Sequence, residues 1–187
     1  MVDAALPLIR ANRGRAFVLC TSLRAVAKAA ERLKQVFGEA GDPFPVLQQG
    51  DAPRPTLLED FRRAGNAVLV GSHSFWEGID VKGDALTLVV IDKLPFAPPD
   101  DPVLAKRLEL LSQAGGNPFM SHQVPQAIIA LKQGAGRLIR SETDRGVLMI
   151  CDTRLVDKPY GRRIWQSLPP MKRSRVQDEV TAFLATL

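Results

Sequence analysis

The stretch "RAFVLCTSLRAVAKAAERLKQVFG" (residues 15–38) decides the fold. Its first seven residues form an apolar run with the length and composition of a fully buried strand. The residues after Ser22 then place apolar side chains at helical spacing, and Gly38 predicts the end of that helix. A buried strand that leads directly into an amphipathic helix is typical of an α/β protein with a parallel sheet.

The same alternation continues to the end of the chain. Further strands are predicted at 43–49, 66–72, 84–94 and 145–154, and further helices at 55–65, 101–116, 121–140 and 173–187. With no repeat or linker, residues 1–187 form one domain, a three-layer α/β/α fold around a mostly parallel sheet. Functional residues in such sheets gather at the carboxyl ends of the strands. Those ends are 21–22, 48–50, 71–80, 92–96 and 152–154.

Composition sets wide limits on function. Of 187 residues, 45% are hydrophobic and 24% charged, which is ordinary for a globular protein, and the net charge of +5 permits a polyanionic partner without requiring one. No run of 18 apolar residues suggests a membrane span. Cys20 and Cys151 each lie in an apolar run, so we expect buried free thiols and a reducing cytoplasm. No ligand spacing predicts a metal or iron–sulfur site within the chain.

The helix that ends in "QGAGRLIR" (133–140) carries a polar stripe. At about 100° per residue, Gln126, Gln133, Arg137 and Arg140 fall within roughly 60° of one another, opposite the apolar residues. Gly136 sits beside the stripe, where a glycine suggests close approach of another backbone or a ligand. One interpretation is a solvated helix face. The other is an anion-binding site, because arginine forks match phosphate oxygens in bidentate geometry.

A second unusual segment, "GSHSFWEGIDVKGD" (71–84), follows a buried strand directly. Phe75 and Trp76 either plug the core where the strand ends or are exposed for function. The run from Glu77 to Asp80 is harder to explain structurally. A glycine between two carboxylates predicts a tight loop, in which Asp80 orients an arginine or a ribose hydroxyl.

Together these segments resemble motifs V and VI of superfamily 2 helicases, in the DinG/XPD-like branch of iron–sulfur DNA helicases with its YoaA-type members. "FVLCTSL" (17–23) resembles motif IV of that branch, and "IDKLPFAPPDDP" (91–102) and "NPFMSHQVPQAIIALKQGAGRLIR" (117–140) resemble its bacterial members. The resemblance runs in the same order along nearly the whole chain. It implies a C-terminal, second RecA-like motor domain.

The resemblance also implies roles for individual residues. Gln133, Arg137 and Arg140 match the QxxGRxxR pattern, whose arginines reach ATP bound mainly on the first motor domain. The residues that line the nucleotide cleft are then Glu77, Gly78, Asp80 and Gly136. The residues that the resemblance implies as contacts to the DNA backbone are Thr21, Ser22 and Ser72, with Arg154 as a further candidate.

Several helicase motifs are missing from this chain, which predicts that it is only one of the two motor domains of a helicase. The chain has no GxxxxGK[ST] loop, no acidic DEAH-type box and no cysteine cluster. ATP with Mg²⁺ would therefore be bound mainly by a first motor domain of the same polypeptide, and a 4Fe–4S cluster would belong to the full-length protein and not to this chain. We expect a monomeric, cytoplasmic bacterial enzyme, associated with the nucleoid when acting. It would move 5′ to 3′ on single-stranded or forked DNA in repair or replication. The alternative is an adaptor module that binds nucleic acid without catalysis.

Three further features leave alternatives open. Arg154 either pairs with Asp152 or faces the DNA groove. Basic residues cluster late in the chain around Trp165, as a solvated surface or as a contact to phosphates: Arg162, Arg163, Lys172, Arg173 and Arg175. Asp101 and its neighbour Asp100 suggest a turn and a helix cap.

Overall fold

The computed structural model describes residues 1–72, 75, 81, 83–97, 101–139 and 144–187, with the side chain of Arg137 outside that description. In this part of the chain, five strands form one parallel sheet in the order β2-β3-β1-β4-β5. The strands are β1 (Ala16–Cys20), β2 (Val46–Gln48), β3 (Val68–Ser72), β4 (Leu88–Ile91) and β5 (Val147–Ile150). The predicted parallel sheet is confirmed.

Helices cover both faces of the sheet. They are α1 (Val2–Ala11), α2 (Leu23–Ala40), α3 (Arg54–Ala64), α4 (Pro102–Gln113), α5 (Val124–Leu138), α6 (Arg154–Asp157), α7 (Pro159–Ser167) and α8 (Gln177–Leu184). A 3-10 turn (Gly83–Ala85) precedes β4, and a π-helical turn (Phe119–Gln123) precedes α5. Among the described helices, none has both the length and the apolar character that crossing a membrane requires.

The sheet separates two hydrophobic cores, since alternate strand residues point to opposite faces. On one face, Phe17 and Leu69 pack with α3, α5 and α7, whose Phe61, Leu131 and Ile164 are fully buried. On the other face, α1, α2 and α8 contribute Ile9, Leu33 and Leu184 to a second cluster. The three-layer α/β/α architecture predicted from the sequence is therefore present.

Several predicted boundaries were wrong. The helix after β1 runs past Gly38 to Ala40 and ends at Gly41, whose φ of 71° is the left-handed conformation that a glycine adopts without strain. The last helix begins at Gln177 and not at residue 173. The helix predicted for 121–140 starts with the π-helical turn and ends at Leu138, because Ile139 is extended. By contrast, Asp101 caps α4 as expected, accepting hydrogen bonds from the N–H groups of Val103 and Leu104.

Candidate functional site

Helix α5 runs along the sheet from the carboxyl ends of the strands toward their amino ends. At its start, the Phe119 ring lies 5.2 Å from that of Phe96, which follows the carboxyl end of β4. At its end, Leu138 packs against Gly146, just before β5; a Cβ at Gly146 would lie 2.6 Å from the Leu138 Cδ1. Because 15 helical residues span about 22 Å, the second half of α5 lies well away from the carboxyl edge.

The described residues of the polar stripe lie on the outer surface of this helix. Gln126, Gln133 and Gly136 are exposed. The apolar side packs inward, with Val124, Leu131, Ala135 and Leu138 buried. The division into faces predicted from the sequence is confirmed for these residues. A Cβ at Gly136 would meet nothing within 4 Å, so no described part of this chain closes over the stripe.

Some predicted site residues lie outside the described part of the chain. These are Glu77, Gly78, Asp80 and Arg140, together with the side chain of Arg137. Trp76 also lies outside it. Phe75 is buried, with its ring against Gly71 of β3 and beneath the guanidinium of Arg54 at 5.6 Å. For Phe75, the interpretation as a plug at the end of the strand is therefore confirmed.

The residues predicted to contact DNA lie at the carboxyl edge of the sheet. Cys20 of β1 pairs with Ser72 of β3, so Thr21 and Ser72 lie on neighbouring strand ends. The chain turns toward β2 after β1 and toward β5 after β4, so the strand order reverses between β1 and β4. Ligands of open parallel sheets bind at such a switch point. The candidate residues that the structure describes thus form two groups, one at this edge and one on the second half of α5.

The three hydroxyl residues differ in accessibility. Thr21 and Ser22 are exposed, whereas Ser72 is only 7% exposed. Ser22 is the N-cap of α2, and its Oγ accepts a hydrogen bond from the N–H of Ala25 at 3.2 Å. Its hydroxyl proton remains available to a further acceptor, because a hydroxyl both donates and accepts. The first turn of α2 therefore offers donors to an anion at the strand end.

Asp152 and Arg154 form an ion pair at the end of β5. The guanidinium donates to both carboxylate oxygens, with a closest approach of 2.6 Å from Nη2 to Oδ2. It also lies 5.3 Å from the centre of the Phe96 ring. The Asp152 side chain is 6% exposed, while that of Arg154 is 41% exposed. The structure therefore shows Arg154 paired with Asp152, as one of the two interpretations predicted. The ion pair leaves one side of the guanidinium in solvent.

The environment of Asp152 favours its charged form. Burial acts to raise the pKa of the carboxyl, but hydrogen bonds from the Arg154 side chain and from the N–H groups of Leu94 and Arg154 outweigh it. The pKa of Asp152 is therefore lowered. Leu94 follows β4 and Asp152 follows β5, so the hydrogen bond between them links the loops after these two strands.

An aromatic cluster supports the same edge and was not predicted from the sequence. The rings of Phe96, Phe119 and Tyr160 meet in pairs, with centres 5.0–5.7 Å apart. The three residues are half-buried. Because they come from three separate segments, nothing in the local sequence indicates that they meet.

The late basic residues are exposed. Arg173 stacks on the Trp165 ring at 3.8 Å from its centre, and Lys172 pairs with Glu179 at 2.8 Å. Both cations are therefore held by contacts within the chain at an exposed surface.

Both cysteines are free thiols. Cys20 is buried, and burial together with the nearby Asp92 raises its pKa to about 12. Cys151 is half-buried, so the prediction of a buried thiol holds fully only for Cys20. Within the described residues, no group of three His, Cys, Asp or Glu side chains could hold a metal ion.

Comparison with known proteins identifies the family. The model of the helicase C-terminal domain matches residues 5–171. The chain is 51% identical over 179 residues to the ATP-dependent DNA helicase YoaA of Escherichia coli, covering 96% of this chain and 27% of that protein. It is 40% identical over 180 residues to the ATP-dependent helicase DinG of Mycobacterium tuberculosis, covering 96% of this chain and 26% of that protein. The chain thus spans about a quarter of the length of these relatives.

A solved XPD helicase structure has the same fold. It matches with a TM-score of 0.58 at 23% identity, over 92% of this chain and 31% of that one. This likeness agrees with the RecA-like α/β fold implied by the motifs. On the match over residues 5–171, the chain belongs to the family of helicase C-terminal domains.

Proposed function

We propose that this chain is the second motor domain of an ATP-dependent DNA helicase that couples ATP hydrolysis to translocation along single-stranded DNA and to duplex unwinding. The single observation that carries this proposal is the separation of the described candidate residues into two groups. A motor needs one surface for nucleotide and another for DNA, and a rigid element that joins them. Helix α5, packed along one face of the sheet, is such an element.

The nucleotide surface would be the second half of α5. Gln133 is exposed there, and Arg137 follows one turn later on the same side of the helix. Phosphoryl transfer requires positioning and charge stabilisation more than covalent chemistry, and arginines can supply both to a γ-phosphate. The arginines would act on ATP held by the first motor domain, where Mg²⁺ would also be bound. Glu77, Gly78 and Asp80 would line the same cleft.

The DNA surface would be the carboxyl edge of the sheet. Thr21 and Ser22 expose hydroxyls beside the N-terminus of α2, and Arg154 exposes part of its guanidinium. Such groups bind phosphate oxygens and carry little sequence preference. We therefore expect binding that depends on the DNA backbone and not on the bases. Movement in the 5′-to-3′ direction, and a role in repair or replication, belong to the same proposal.

A 4Fe–4S cluster does not fit the residues of this chain. Such a cluster needs four thiolates, whereas the chain has two cysteines, on strand ends with raised pKa values. Any cluster in the full-length protein would have to be held elsewhere, and no step of the mechanism within this domain depends on one.

DNA-stimulated ATP hydrolysis tests the proposal. The measurement compares a polypeptide that joins this domain to an ATP-binding motor domain with the 187-residue chain alone. We expect turnover that rises with added single-stranded DNA for the joined protein and none above background for the chain. DNA binding without ATP hydrolysis in the joined protein would support an adaptor instead. Turnover by the chain alone would contradict the assignment as half of a motor.

A further inference from the structure

The side chain of Gln49 extends the sheet beyond the end of β2. β2 ends at Gln48, opposite Val70, whereas β3 continues to Ser72. The N–H of Gln49 still donates to the Val70 oxygen at 2.9 Å, after which the chain turns away at Gly50. With a φ of 105°, Gly50 has a conformation that other residues adopt only with strain. The backbone of β2 therefore has no acceptor to offer the end of β3.

The Gln49 amide replaces that missing acceptor. The N–H of Ser72 donates to the Gln49 Oε1 at 2.6 Å. This bond satisfies a backbone donor on a residue that is only 7% exposed. It also fixes the orientation of the amide. With Oε1 on Ser72, the Nε2 and its two N–H donors point elsewhere, and no described residue accepts a hydrogen bond from them.

The position of Gln49 places those donors beside the proposed DNA surface. Gln49, Ser72 and Thr21 lie at the ends of three neighbouring strands, and strands in a sheet are about 4.8 Å apart. Gln49 is half-exposed. The adjacent carboxylate of Asp51 is paired with Lys34 at 3.6 Å, which reduces repulsion of an approaching phosphate. Side-chain amides are common donors to phosphate oxygens.

We propose that Gln49 is a further DNA-backbone contact in this domain. Its Oε1 holds the end of β3 through the Ser72 N–H, while its Nε2 donates to a phosphate of the bound strand. The inference rests on the proposed function, since it needs DNA at the carboxyl edge. It adds a residue on the edge strand β2 to the DNA surface, so the bound strand extends across β1 and β3 to β2.

Replacement by glutamate separates the two roles of the amide. Gln49→Glu keeps an oxygen that accepts from Ser72, and a carboxylate accepts more strongly than an amide. The same change removes the Nε2 donors and places a negative charge where the phosphate would bind. Gln49→Leu removes both functions without adding charge. Gln48→Glu is the matched control, because it adds the same charge one residue earlier, where the side chain points to the opposite face of the sheet.

The experiment measures fluorescence anisotropy of a short fluorescein-labelled oligothymidylate at about 0.1 M salt, where charges more than about 10 Å apart are largely screened, with the joined two-domain protein and no ATP. Thermal melting of each variant is recorded alongside. We expect Gln49→Glu to weaken binding at least about tenfold, as for loss of a hydrogen bond to a charged group, and to melt no lower than the unchanged protein. Gln49→Leu should weaken binding less and melt lower. Gln48→Glu should leave affinity within about threefold, because an exposed charge beyond direct contact is screened.

Each outcome decides a specific point. If the unchanged protein does not bind the oligothymidylate, the proposed function fails and not only the role of Gln49. If it binds and Gln49→Glu binds equally well, or loses no more than Gln48→Glu, the contact to phosphate is refuted. If Gln49→Glu melts well below the unchanged protein, the Oε1 does not hold β3 in the way proposed.

Discussion

Replacing Asp152 by alanine should destabilise the fold measurably. The carboxylate accepts hydrogen bonds from the N–H groups of Leu94 and Arg154 and from the Arg154 guanidinium. Leu94 is buried, so its N–H would be left without a partner away from water. The ion pair itself adds little, because the Arg154 side chain is 41% exposed and therefore screened. We expect Asp152→Ala to lower the free energy of unfolding by about 3 kcal/mol, mostly because two backbone donors lose their acceptor.

Chemical denaturation at neutral pH measures that loss. A destabilisation of about 3 kcal/mol corresponds to a fall in Tm of roughly 6–12 °C for a domain of this size. Asp152→Asn should cost about half as much, since its single amide oxygen can still accept from one N–H group. Asp157→Ala is the control, because Asp157 is exposed at the end of α6 and its loss should stay within about 0.5 kcal/mol. If Asp152→Ala cost no more than this control, the carboxylate would not fasten the two loops.

The pH dependence gives an independent check with a definite sign. The pKa of Asp152 is lowered in the folded chain. Its contribution to the free energy of unfolding is therefore complete when the pH is above the ordinary aspartate pKa of about 3.9. It is lost as the pH falls through the lowered pKa. The stability difference between the unchanged chain and Asp152→Asn should therefore shrink below about pH 4. A difference that grows on acidification would refute the assigned charge state.

Three further outcomes follow from packing, burial and charge. Phe61→Ala should cost about 3–5 kcal/mol in denaturant unfolding, because Phe61 is buried against Phe17 with ring centres 4.8 Å apart; a loss under about 1 kcal/mol would contradict that packing. Cys20 should react with a thiol reagent at pH 8 far more slowly in the folded than in the unfolded chain, because its pKa is raised to about 12. Single-strand DNA affinity of the isolated chain should fall with salt at a log–log slope near 0.7 per phosphate contacted, and affinity that survives high salt would favour the adaptor.

The sheet could be predicted because each strand carries its own signal. β1, β3, β4 and β5 are short apolar runs, and a period of two residues is not needed to recognise a strand buried on both faces. The inward face of α5 was equally readable, since Val124, Leu131 and Leu138 recur at helical spacing. These features depend on local pattern alone.

The features that escaped prediction depend on tertiary contacts. α1 contains Pro7 in its interior, and α7 begins with Pro159 but lacks a side-chain cap, so their local helix signals are weak; buried residues such as Ile9 and Ile164 stabilise them. Gln49 could be placed at a strand end from the sequence. Its hydrogen bond to Ser72 could not, because that bond depends on β2 and β3 being neighbours and on β2 ending first.

We propose that Gln133 and Arg137 of α5, together with Arg140 beyond its end in the sequence, act on ATP held by another domain. The most direct measurement is the ATPase rate and the single-strand DNA affinity of Arg137→Ala, Arg140→Ala and Arg140→Lys, side by side in the joined protein, with folding checked by thermal melting. Arginines that stabilise the transferring phosphoryl group are worth about 10³- to 10⁵-fold in rate, and lysine replaces the planar fork poorly. We predict turnover lost on that scale in all three variants, with DNA affinity within a few-fold of the unchanged protein. Normal turnover in both alanine variants, or a collapse of DNA affinity while turnover persists, would show that these arginines do not act on ATP.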